Sequence, residues 1–207
     1  MALRSQRVRL TVYCGSARGR DGAFHESAVH FGRTLGKRGF DLVYGGGGIG
    51  LMGALARSAR EAGARVTGVI TEQFLSLEQG WKGCDELLVV KSMRERKQEM
   101  EERAEAFAIL PGGLGTYEEF FETLVGRVIG RHDKPIGLLN VLGCFDPLVR
   151  LLDHGVESGF VREAARALVH ESREASVLLD ALEGQIASTG GTPHDPQHML
   201  PMHGPHG

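Results

Sequence analysis

Short apolar, β-branched runs recur along the chain, each followed by a longer stretch in which apolar positions return at helical spacing. The runs are RVRLTVYC, DLVY, RVTGVI, ELLVV, AFAIL, PIGLL and ALVH. Helical spacing starts near Phe24, at Gly50, through MRERKQEM, at Thr116, at Asp146, and from Glu174 to about Ile186. Strands separated by whole helices cannot pair as hairpins. The pattern therefore predicts an α/β, Rossmann-like, doubly wound fold: a mainly parallel sheet with helices on both faces.

Folds of this kind bind ligands where strands end and the chain leaves for a helix. Those exits read YCGSARG, YGGGGIGLMG, VIT and LPGGLGT. Glycine numbers 30 in 207 residues, about twice the usual share of roughly 7%, and much of the excess lies at these exits. Backbone that must turn tightly or approach a ligand closely uses glycine for want of a Cβ.

Two readings of YGGGGIGLMG stand side by side. Gly45, Gly47 and Gly50, or Gly48, Gly50 and Gly53, satisfy GxGxxG between a strand and a helix, and Glu72 follows at the distance of a ribose-binding acid in an NAD site. Against this, the dinucleotide fingerprint normally occupies the first βα turn, which here is CGSARG. In the other reading these glycines let helix and strand pack closely. No GxxxxGK[ST] motif is present, which argues against a Walker-type triphosphate site.

LPGGLGTYEE carries a sharper signal. Gly112, Gly113 and Gly115 leave backbone N–H groups unshielded ahead of a helix capped by Thr116, so orphan donors and the positive end of the helix dipole face a ligand together. Such a site suits a phosphate. The same residues also form a T-x-x-E capping box, in which Glu119 folds back on Thr116. Upstream, Ser92 is a candidate N-cap for SMRERKQEM, and Arg94, Arg96 and Lys97 crowd a helix start that disfavours cations unless an anion offsets them. A solvated helix with a Glu99–Arg103 pair is the competing account.

Composition narrows the picture by exclusion. The length suits one domain, expected over 1–187, followed by an unstructured tail over 188–207 that holds four of nine histidines. Cys14, Cys84 and Cys144 are widely spaced and odd in number, so they read as reduced thiols of a cytoplasmic protein. Formal charge is −2 with both signs interspersed, giving no nucleic-acid or membrane face. MALRSQRVRLTVYCGSA fits neither a signal peptide nor a membrane span.

Four motifs taken together, CGS after the first strand, YGGGxxGLMG after the second, M-x-E-R-K and PGGxGTxxE, resemble the LONELY GUY (LOG) family of cytokinin riboside 5′-monophosphate phosphoribohydrolases. Many of its members carry a "lysine decarboxylase" label. The likeness runs from about Val8 to the helix near Glu157, including KPIGLLN and FDPLVRLLDHGVESGF. It implies hydrolysis of the N-glycosidic bond of an N6-substituted adenosine 5′-monophosphate, without cofactor or metal, by a homodimer. It also implies catalytic roles for Arg96 and Glu119. Nucleotide-contacting positions would be Glu78, Lys97 and Gly112, Gly113, Leu114, Gly115, Thr116, Tyr117 and Glu118, with the glycine loops adding Gly15, Ser16, Gly45, Gly46 and Gly47. Arg94 stands where the family commonly has His, and Val125 and Gly126 where plant members usually have Thr and Trp. Two other function classes remain open: a non-catalytic carrier or sensor of a nucleotide-like ligand, and an NAD-dependent oxidoreductase.

Overall fold

The computed structural model describes residues 7–77 and 80–189. Its strands are β1 (Arg9–Tyr13), β2 (Asp41–Tyr44), β3 (Val66–Thr71), β4 (Glu86–Val90), β5 (Ala106–Ile109), β6 (Ile136–Leu139) and β7 (Val169–Ser172). Between and after them lie helices α1 (Gly22–Lys37), α2 (Gly50–Glu61), α3 (Glu72–Leu77), α4 (Met93–Arg103), α5 (Leu114–Val128), α6 (Asp146–Glu157), α7 (Glu163–Arg166) and α8 (Ala175–Thr189). All seven strands pair in parallel in the order β4-β3-β2-β1-β5-β6-β7. The expected doubly wound sheet is present.

The central strands are continuous apolar runs because both of their faces are covered. Every residue of β3 and β5 is buried. One core joins Leu10, Val12 and Leu42 of the sheet to Phe31 and Leu35 of α1, Leu55 of α2, and Leu178 and Leu182 of α8. A second, on the opposite face, joins Tyr13, Phe107 and Ile109 to Met100 of α4, Phe120 and Leu124 of α5, and Leu152 of α6. Because β2 to β4 are laid down on one side of β1 and β5 to β7 on the other, the chain reverses its winding between β1 and β5. A crevice opens there, above the carboxyl ends of the strands.

The short elements were not foreseen. α3 and α7 have 6 and 4 residues, too few to display a helical period, and a 3₁₀ turn at Val141–Gly143 follows β6. α8 runs to Thr189, so the expected boundary at 188 falls inside a helix, and residues 190–207 lie outside the described residues. Among the described residues, no helix is long and apolar enough to cross a membrane.

Behind the crevice, His132 packs on the ring of Phe107 with centroids 5.4 Å apart. Its Nε2 lies 3.1 Å from the carbonyl of Thr123, and its Nδ1 accepts from the Lys134 amide at 3.3 Å, a pattern that fits the neutral ring. Burial, with the nearby Lys134 charge, lowers its pKa from 6.5 to about 4. On acidification the unfolded chain gains this proton first, so the contribution of His132 to stability is complete above pH 6.5 and is lost as pH falls towards 4. Melting temperatures at pH 7 and 4.5 should therefore differ more for wild type than for His132→Gln, by a few degrees; equal pH dependence in the two proteins would contradict this account.

Candidate active site

The crevice at the winding reversal is a cleft of about 680 Å³. Three loops meet at it, and their contacts explain their glycines. The amide of Gly15, just after β1, donates to the carbonyl of Pro111 after β5 at 3.0 Å. The carbonyl of Gly15 in turn accepts from the amides of Leu51 and Met52, at 3.1 and 3.3 Å, which open α2. Gly50 adopts φ +59°, and a Cβ there would run into the Ser16 carbonyl, so only glycine fits between α2 and the first loop.

This bracing decides between the two readings of the first glycine run. Two donors at the α2 N-terminus, the Leu51 and Met52 amides, are spent on the neighbouring loop instead of facing the cleft. Glu72 opens α3 as an exposed residue and does not line the cleft. Close packing of backbone, the second reading, accounts for these glycines.

The start of α5 behaves differently. Gly113 is its N-cap and gives no side-chain cap, while its carbonyl receives the Tyr117 amide at 3.0 Å. The helix thus begins at Leu114, two residues before the expected Thr116, and Thr116 sits within the first turn. The T-x-x-E capping box does not form, because Glu119 is drawn instead to Arg96. Among the described residues, the amides of Leu114, Gly115 and Thr116 have no acceptor from this chain, and they lie in the segment that lines the mouth of the cleft.

A reciprocal cap does form at α4. Ser92 accepts from the Glu95 amide at 3.2 Å and the Glu95 carboxylate accepts from the Lys91 amide at 2.9 Å. With the helix start anchored, Arg96 projects beneath the strand ends. Its guanidinium donates to the carbonyl of Val69 at 2.9 Å and of Gly45 at 3.1 Å, and its Nη1 lies 3.4 Å from Oε1 of Glu119. Arg96 is 6% exposed and Glu119 8%, so the pair is effectively buried. A Cβ on Gly45 would collide with the Arg96 guanidinium, which is why this position is glycine.

Next to this pair, Lys97 bonds Glu118 at 2.5 Å and Glu122 at 2.8 Å. Two of the three cations that crowd the start of α4, Arg96 and Lys97, are thus offset by acids of α5, whereas Arg94 is exposed, and the Glu99–Arg103 pair is present at 3.1 Å. Tyr13 lies beneath Glu119. Burial above all, and then the Glu119 charge, raise its pKa, while the Thr123 side chain hydrogen-bonds it. It stays a neutral phenol.

Of the residues singled out in the sequence, Gly15, Ser16, Gly45, Arg96 and the run from Gly112 to Glu119 line one cleft. Gly46, Gly47 and Lys97 are not among its lining residues. Gly46 binds the Trp81 amide through its carbonyl, Gly47 bridges to Gly80, and Lys97 is turned to its two carboxylates. Glu78 lies outside the described residues. Sequence reasoning missed Tyr13, Met52, Phe74, Met93, Met100 and Phe145, which give the cleft its apolar walls. The place of Tyr13 at a strand exit, and of Met52 and Met93 within the YGGGxxGLMG and M-x-E-R-K motifs, could have marked three of them.

Sequence comparison places this cleft within a known family. The chain is 43% identical over 183 residues to the cytokinin riboside 5′-monophosphate phosphoribohydrolase LOG of Oryza sativa subsp. japonica, covering 88% of this chain and 76% of the relative. It is 38% identical over 186 residues to LOG1 of Arabidopsis thaliana, covering 90% and 87%. This chain belongs to the LOG family. A family model described as "Possible lysine decarboxylase" also matches residues 52–182. Among the described residues lining the cleft of this LOG-family chain there is no lysine, the side chain that a pyridoxal-phosphate decarboxylase needs to hold its cofactor. The molybdenum cofactor carrier protein of Chlamydomonas reinhardtii superposes with a TM-score of 0.65 at 19% identity, covering 88% of this chain and 99% of the carrier, a likeness of fold alone.

Removing Arg96 would take the counter-cation from a buried carboxylate and a donor from each of two carbonyls. Arg96→Met should cost about 3 kcal/mol or more in urea unfolding. Arg96→Met combined with Glu119→Gln should cost less than Arg96→Met alone; additive losses would show that the two side chains do not interact.

Proposed function

We propose that the cleft hydrolyses the N-glycosidic bond of an N6-substituted adenosine 5′-monophosphate, releasing the free base and ribose 5-phosphate. Membership of the LOG family supports the reaction. The observation that carries it to named residues is the polarity of the cleft: open amides at the mouth, and a buried carboxylate one helical turn further in.

The 5′-phosphate lies over the amides of Leu114, Gly115 and Thr116 and takes the positive end of α5 as its counter-charge. The ribose then points down towards Glu119. As the bond between C1′ and the base nitrogen breaks, its electrons leave with the base and positive charge grows on the sugar. The Glu119 carboxylate stabilises that charge and orients the water whose oxygen bonds C1′. One proton of that water balances the departing base and the other completes the new hydroxyl. Arg96 holds its proton throughout and serves to fix Glu119 in place. Phosphate binding supplies energy remote from the bond that breaks.

The carrier and oxidoreductase readings have less support. A carrier has no use for a buried Arg–Glu pair beside the ligand, and the α2 amides that an NAD pyrophosphate would need are already bonded. We further infer a homodimer. Val125 and Ile129 of α5 and Leu151 of α6 are large, apolar and exposed, at 53%, 49% and 57%. The three cysteines, none of them in a disulfide, favour a cytoplasmic setting. Nothing in the charge pattern suggests a nucleic-acid partner.

Incubation with AMP and with N6-isopentenyladenosine monophosphate should release free base; intact nucleotides at high protein concentration would refute the reaction. Glu119→Gln should abolish release while melting within a few degrees of wild type, since the amide keeps the shape and a hydrogen-bonding oxygen near Arg96. Retained turnover would remove Glu119 from the chemistry.

A further inference from the structure

The cations around the cleft are committed unevenly. Lys97 is bonded to Glu118 and Glu122 of α5 and does not line the cleft. Arg96 does line it, but its guanidinium is engaged by two carbonyls and Glu119 at the base. Arg18 is the other cation in the lining. Among the described residues, its guanidinium makes no hydrogen bond or ion pair. It stands on the exposed loop after β1, three residues beyond Gly15, whose amide ties that loop to Pro111 at the root of the α5 N-terminus.

We propose that Arg18 is the side-chain clamp for the 5′-phosphate, closing over an anion seated on the amides of Leu114, Gly115 and Thr116. This assignment rests on the hydrolase reading given above. A planar guanidinium suits the task, because it can span two phosphate oxygens while the amides hold the third. It also solves a charge problem: the Glu118 carboxylate borders the same mouth, and Lys97 neutralises it from the α4 side. Arg18 then recognises the phosphate, and the Arg96–Glu119 pair below handles the sugar. The clamp makes the phosphate, rather than the base, the group that admits a ligand.

Arg18→Ala tests this, since an exposed loop position tolerates truncation. KM for AMP should rise about ten- to a hundred-fold with kcat within a few-fold, as expected for loss of a charge-assisted contact. Inhibition by ribose 5-phosphate should weaken by a similar factor, and Arg18→Lys should fall between the two. Binding of adenosine, which lacks the phosphate, should not change. Unaltered AMP and ribose 5-phosphate affinities in Arg18→Ala, or an equal loss for adenosine, would overturn the proposal. Equilibrium binding of AMP to both proteins keeps the test valid if no nucleotide is hydrolysed, an outcome that would fault the reaction and leave the clamp to be judged on affinity.

Discussion

The guanidinium of Arg96 ties together four parts of the molecule that share no covalent neighbourhood. It projects from α4, donates to a carbonyl within β3 and to one just after β2, and meets a carboxylate of α5. A buried charge of this kind is tolerated only when its donors are well matched. Its surroundings are accordingly built to it: glycine at position 45 for clearance, a reciprocal cap at Ser92 to fix the helix start, and an α5 that begins early enough to bring Glu119 within reach. The site is therefore a by-product of how one cation is satisfied.

From this constraint follows the polarity of the cleft. Helix amides and Arg18 make the mouth attractive to anions, whereas the base presents a carboxylate whose own cation is already engaged by carbonyls. A nucleoside monophosphate matches both ends, with a dianion at one terminus and an anomeric carbon that becomes positive as its bond breaks. Met52, Met93, Met100 and Phe74 give the cleft an adaptable apolar wall. A fold shared with a cofactor carrier at 19% identity thus carries its own set of side chains on the helices that follow the strands.

The strand-helix alternation was legible in the sequence because the central strands are buried on both faces and read as unbroken apolar runs. The capping signal at Ser92 was legible too, since its partners lie within one helical turn. Thr116 misled for the opposite reason. Its local box is chemically sound, but Glu119 finds a charged partner 23 positions away in sequence, and that tertiary contact prevails over the local one. The role of Lys97 was hidden in the same manner, by acids on the next helix. Backbone carbonyls such as those of Val69 and Gly45 have no sequence signature at all, so the geometry that seats Arg96 could only be seen in three dimensions.

The bond from two α2 amides to the Gly15 carbonyl has an implication for how this architecture tolerates change. With the first loop braced from below by a helix and from the side by Pro111, the three crossings above the sheet form one interlocked rim in which no segment can lengthen alone. Variation in chain length is thereby channelled to the far end of the molecule, where turns such as those at Gly39 and Gly63 open onto unobstructed space. Fusions and permuted termini belong there, beyond the reach of the chemistry.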